Sequence, residues 1–174
     1  MVVTLTRPKY SAPDTSDWHT GDVFFSVGDS WKSVAVRSIS GALNLQVNDS
    51  LPSHCGFVVR EGNDVYLVHE STDAGTIAKE TPEEYVRKNG TYCLYIMRPP
   101  MEIDTLRLMS TLEEMRRRQI PFDFGWDHDD SSELYCTEFV ILAYARSGYP
   151  FLTPLLRKST YIYPQDIADR LRHP

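Results

Sequence analysis

The sequence predicts an α+β domain, a small antiparallel sheet packed by helices, on three observations. Four short runs rich in β-branched and aromatic residues read as strands: GDVFFSV (21–27), HCGFVVR (54–60), DVYLVHE (64–70) and TYCLYIMR (91–98). The second and third are joined by Glu61-Gly62-Asn63-Asp64, a hairpin signal, and should pair antiparallel. Two later segments space their apolar residues at the helical period. Hydrophobic residues make up 41% and charged residues 24% of 174 residues, enough for one core without disulfides or a metal. With no repeat, linker or low-complexity tract, one domain is expected over 1–174, residues 1–20 forming an N-terminal extension.

After the first strand, Ser30 is placed to cap a short helix whose buried face would carry Trp31, Val34, Ile39 and Leu43. Thr81-Pro82-Glu83-Glu84 opens another, with proline at its first position and acids in its first turn. The strand 91–98 stops at Pro99-Pro100. Asp104 is the N-cap of a helix to Gln119, with Leu106, Met109, Leu112 and Met115 on one face and Arg116-Arg117-Arg118 at its favourable C-terminus. The loop PFDFGWDHDDSS then leads into LYCTEFVILAYARSG, where Cys136, Phe139, Val140, Ala143 and Tyr144 share a face and Gly148 is the stop. Pro164-Gln165-Asp166 starts a terminal helix.

The net charge of -6 and pI near 5.3 have the wrong sign for neutralising phosphates, so no nucleic-acid partner is expected. No apolar run approaches the roughly 20 residues that span a bilayer, and MVVTLTRPKY lacks the signal-peptide pattern. As written the chain is expected in the cytoplasm, or in the envelope or medium if a leader has been removed from it. Cys55, Cys93 and Cys136 are odd in number, widely spaced and without a CxxC pair, which argues against a disulfide framework and a thiolate metal site.

Cys136 lies near the start of its helix, after the candidate caps Asp130, Ser131 and Ser132. Free N–H groups and the helix dipole there stabilise a thiolate, lowering its pKa from about 8.5, and could also receive an oxyanion. The plain alternative is a small apolar residue on a buried face. A nucleophile needs a base, for which His54 is a candidate, and the base needs an acceptor to orient it, for which Glu70 is a candidate. If residues 61 to 63 form the hairpin loop, Glu70 lies opposite His54; if 61 to 64 form it, Glu70 lies opposite Cys55. Periodicity does not choose between them. His69, beside Glu70, points to the other strand face, so only one of the two can serve the site, and Glu70 is preferred. Cys55 is expected on the face away from Cys136.

Taken together, GDVFF, SHCGFVV, YLVHES, PFDFGW and DDSSELYCTEFVILAY resemble, in order and spacing, the circularly permuted papain-like cysteine amidohydrolases of the NlpC superfamily, the YiiX-like group in particular, over residues 21 to about 168. The resemblance implies a papain-like fold with Cys136 as nucleophile, His54 as base and Glu70 as orienting carboxylate. It also implies acyl transfer through a thioacyl-enzyme, with the Cys136 N–H in the oxyanion hole. The chain departs from the family's usual residues at Cys55 (Val), Ser71 (Ala) and Phe122 (Tyr). The last change removes a hydroxyl and leaves Tyr135 as a candidate donor near the substrate. The substrate would be a peptide amide, cell-wall peptides among them. The alternatives are an acyl lipid, handled by an acyltransferase or thioesterase on the same triad, and a binding module without turnover. No cofactor is implied, and no oligomeric state.

Asp127, Asp129, Ser131 and Glu138 fit positions 1, 3, 5 and 12 of a calcium-loop template, but Ser132 stands where glycine makes its turn. Helix capping and solvation are preferred, and no metal is expected. Trp126 and His128 are candidate substrate contacts, while Phe122, Phe124 and Trp126 are read equally as cleft wall or core. Cys93 reads as core, and His19 and His173 as exposed terminal residues.

Overall fold

The structure, a computed structural model, describes residues 3–6 (backbone), 13–29, 51–125, 132–157 and 161–173. Six strands form one antiparallel sheet: β1 (Val3–Thr6), β2 (Val23–Gly28), β3 (His54–Glu61), β4 (Asp64–Ser71), β5 (Thr76–Glu80) and β6 (Thr91–Met97), in the order β1-β6-β2-β3-β4-β5. Among the described residues four α-helices accompany it, α1 (Pro82–Lys88), α2 (Thr105–Arg117), α3 (Cys136–Arg146) and α4 (Pro164–Arg172), with a 3-10 helix at Pro150–Arg157. The expected α+β architecture holds. The helix expected after Ser30 lies outside the described residues.

Alternation along the strands divides the core in two. Val23, Phe25, Cys55, Phe57, Val59 and Val68 pack against α2 and α3. On the other face, Phe24, Val58, Leu67, Leu94 and Ile96 pack with Trp18 and with Tyr85 and Val86 of α1. β2 is buried along its whole length, which is why its sequence is a nearly unbroken apolar run rather than an alternating one. Phe57 meets Phe139 and Tyr144 edge-on at 5.7 and 4.8 Å between ring centroids. The Tyr144 hydroxyl donates to the Gly21 carbonyl at 2.6 Å. Asp22, 1% exposed, accepts a fork from Arg98 at 2.9 and 3.1 Å. The Phe57 and Tyr144 contacts fix α3 against β3 and the start of β2, and the Arg98 fork ties the end of β6 to the same place.

Three sequence expectations are corrected. Residues 3–6, within the expected extension, add an edge strand on β6. β5 was not expected, because TIAKE buries only Ile77 and so carries no clear alternation. On α2 the buried residues are Leu108, Leu112 and Met115, while Leu106 is 78% exposed: a strict spacing of three falls behind the 3.6-residue turn, so Leu106 lies on the opposite side of the helix from Met115.

The hairpin decides the site. Glu61 pairs with Asp64 around Gly62-Asn63, with Gly62 at φ 63°, and the register continues Arg60 to Val65 and Phe57 to Val68. This is the register in which Glu70 falls opposite Cys55, not His54.

Candidate active site

Cys136 is the first residue of α3, 7% exposed, after Tyr135 in extended backbone. The N-cap position falls on Tyr135, C-terminal to the expected caps, and the Glu138 carboxylate accepts the Tyr135 N–H at 3.3 Å. Asp130 and Ser131 lie outside the described residues, with Trp126, His128 and the rest of the acidic loop. The chain before the helix is pinned at both ends. Leu134 N–H donates to Pro121 O at 2.9 Å, Asp123 N–H to Leu134 O at 3.0 Å, and Phe122 N–H to Gly75 O at 3.0 Å. Phe122 is buried and Phe124 exposed, and their rings meet at 4.9 Å between centroids.

The Cys136 thiol is held well below its ordinary range, chiefly because the Cys55 thiol donates a hydrogen bond to it. The His54 charge and hydrogen bond and the Cys55 backbone N–H act the same way, against the opposing effect of burial. Burial, followed by the Cys136 interaction, pushes the Cys55 thiol well up, so Cys55 stays protonated and is the donor. Cys55 therefore faces Cys136, opposite to expectation. The reason is parity: Cys55 shares its strand face with Phe57 and Val59, which pack under α3.

His54 opens β3 and is half-buried. Its Nε2 lies 3.0 Å from His69 Nδ1, the rings being edge-on at 5.0 Å between centroids. His69 is 2% exposed, and burial lowers its pKa. Its Nδ1 is also 3.1 Å from the Glu70 carbonyl, and its Nε2 is 3.7 Å from Glu80 Oε2. Phe24 and Tyr85 wall this pair: the Tyr85 ring stands 4.9 Å from His69 and 6.3 Å from His54, its hydroxyl 2.7 Å from Ser26 Oγ. Gly56 makes the arrangement possible, since a Cβ there would lie 2.7 Å from both His69 Cβ and Phe24 Cε1 and 2.6 Å from Val68 O.

Glu70 lies on the α3 face, fully buried, and neither carboxylate oxygen has a hydrogen bond. It therefore does not orient His54, and the contact expected of Glu70 is made by His69. Burial, then the charges on Cys136 and Glu138, push the Glu70 carboxyl up to about 9, so it is protonated at neutral pH. Tyr135 is 1% exposed, and burial raises its phenol. His69 was weighed in the sequence and set aside for Glu70, while Glu80 and Tyr85 were missed. The signal for His69 was its place two residues from Leu67 on the face that Gly56 leaves open.

Among the described residues no group of three or more His, Cys, Asp or Glu side chains is arranged to hold a metal ion, and no helix is long and apolar enough to cross a membrane. No curated protein sequence matches the chain. Among solved structures it is similar to one described as metalloprotein yiiX from Escherichia coli O157:H7, at 18% identity and a TM-score of 0.64, over 87% of this chain and 92% of that one. At this identity the likeness establishes the fold. The family described as permuted papain-like amidase, YaeF/YiiX, C92 matches residues 18–168. The chain belongs to that family and is a papain-like cysteine hydrolase of amide bonds.

Proposed function

We propose that the protein hydrolyses a peptide amide through a thioacyl-enzyme on Cys136, with His54 as base and acid and His69 orienting His54. The observation that carries this reading is the histidine pair: His54 Nε2 lies 3.0 Å from His69 Nδ1, and His54 acts on the Cys136 thiol to hold it low. The thiolate attacks the amide carbon, and the carbonyl electrons move to oxygen, where the Cys136 N–H at the helix start can donate. His54 gives its proton to the departing amine nitrogen as the C–N bond breaks. It then takes a proton from water, which attacks the thioester and releases the acid and the thiolate.

Cys55 assists by donating its S–H to the resting thiolate. Glu70, protonated on the α3 side, keeps a negative charge away from the thiolate rather than orienting His54. Trp126 and His128, outside the described residues, keep the substrate contact expected of them, whereas Tyr135, 1% exposed, is buried away from substrate.

The test is release of amine from peptide amides, muropeptides among them, with intact-mass analysis of the protein. The reading expects hydrolysis that disappears in Cys136→Ala and a mass addition equal to the acyl portion. Hydrolysis that survives Cys136→Ala would overturn it. An adduct formed only from acyl lipids would move the substrate to a lipid acyl group.

A further inference from the structure

A base must present a lone pair, and which nitrogen of His54 does so depends on a residue two strands away. His54 Nε2 is taken up by His69, so Nδ1 is the nitrogen left for the Cys136 sulfur. For Nδ1 to accept a proton in the neutral state, His54 must carry its hydrogen on Nε2 and donate it to His69 Nδ1. His69 must then carry its own hydrogen on Nε2.

Nothing in the two histidines enforces that choice, and one neighbour opposes it. The Glu70 carbonyl, 3.1 Å from His69 Nδ1, favours a hydrogen on Nδ1. That tautomer would also donate to His54 Nε2, moving the His54 hydrogen to Nδ1, where it would face the sulfur and leave no site for the thiol proton. What favours the other tautomer is Glu80, the last residue of β5, on the same sheet face as His69. Its Oε2 is buried, has no hydrogen bond and lies 3.7 Å from His69 Nε2, while its Oε1 is paired with Lys88. A lone pair on His69 Nε2 facing this carboxylate would be repelled where water is excluded, whereas an N–H there is attracted.

We propose that Glu80 is a positioning residue: its carboxylate keeps the His69 hydrogen on Nε2 and, through His69, the His54 hydrogen on Nε2, so that His54 Nδ1 exchanges a proton with Cys136. His69 holds Glu80 down to about 2, so the carboxylate is charged throughout the neutral range. The other polar groups facing the relay are Lys88 and Tyr85 on α1 and Ser26 on β2, and burial keeps the Tyr85 phenol protonated. The proposal rests on reading Cys136 and His54 as the reacting pair.

Imidazole nitrogen NMR tests it in the Cys136→Ala protein, where no catalysis is needed for the readout. The expected spectrum has both His54 and His69 protonated at Nε2. Glu80→Leu should move the His69 hydrogen to Nδ1, and in the Cys136 protein it should reduce turnover about 10- to 100-fold at similar KM, the scale seen when the partner that orients a metal-binding histidine is removed. Glu80→Asp, which keeps the charge and serves if the leucine variant is poorly folded, should restore most of the Nε2 tautomer. His69 remaining Nε2-protonated in folded Glu80→Leu, or turnover within twofold of the parent, would overturn the proposal. A tautomer that follows Glu80 while Cys136 reactivity ignores His54→Ala would sink the catalytic reading and leave the tautomer assignment standing.

Discussion

His54 Nε2 stands 3.0 Å from His69 Nδ1, and Glu70, one residue further along the strand, faces the opposite side of the sheet with both carboxylate oxygens unbonded. Two adjacent residues of β4 thus have different tasks. His69 belongs to the His54 side and Glu70 to the Cys136 side, a division set by the period of two along a strand.

Replacing His54 with alanine should lower turnover by about 10²- to 10⁴-fold, the usual worth of a general base. His69→Ala should give a smaller loss, while Glu70→Gln should leave the His54 contact untouched. Steady-state kinetics on a peptide amide check the order: a Glu70→Gln loss larger than that of His69→Ala would contradict the assignment.

Cys55→Val removes the S–H that donates to Cys136 and closely keeps the volume. Since that bond is the largest influence holding the thiol down, the midpoint of Cys136 ionisation should rise. The absorbance of the thiolate near the far ultraviolet, followed against pH with the Cys136→Ala protein subtracted, reports it. An unchanged midpoint would contradict the donor role.

Glu70 should make stability fall with rising pH. Its carboxyl is pushed up to about 9 from an ordinary 4.5, so between those values the folded chain holds a proton that the unfolded chain releases. The contribution is fully present below the unfolded value and is lost as pH rises toward 9, with a slope of up to about 1.4 kcal/mol per pH unit. Glu70→Gln lacks this slope. Urea unfolding at pH 5 and pH 8 should show the variant gaining on the parent as pH rises.

Gly56→Ala should destabilise the fold by about 1–3 kcal/mol, because its Cβ would lie 2.6 Å from Val68 O and 2.7 Å from His69 Cβ and Phe24 Cε1. It should also reduce turnover by displacing His69. Urea unfolding and kinetics on the same preparation check both, and a variant equal to the parent in each would show that the space beside Gly56 is not needed.

The sheet, the hairpin and the nucleophile helix were legible because each has a strong local pattern: apolar runs in β2 to β4 and β6, Gly62-Asn63 at the turn, and a helical face through Phe139, Val140 and Ala143. The partner of His54 was not. It turns on a one-residue choice of register that periodicity leaves open, and the register came out as Glu61 with Asp64. Glu80 was out of reach for a related reason: β5 is five residues long with one buried side chain, so its strand is induced by pairing with β4 rather than written in its own alternation. Cys55 is a separate case: the alternation of β3 itself puts it with Phe57 and Val59 under α3, whatever the register of β4.

The most direct measurement is the rate at which iodoacetamide alkylates Cys136 at pH 6, where a thiol with a pKa near 8.5 is almost wholly protonated. The account predicts single, fast labelling at Cys136, slowed strongly by His54→Ala and less by His69→Ala. Labelling no faster than that of free cysteine, or equally fast without His54, would contradict it.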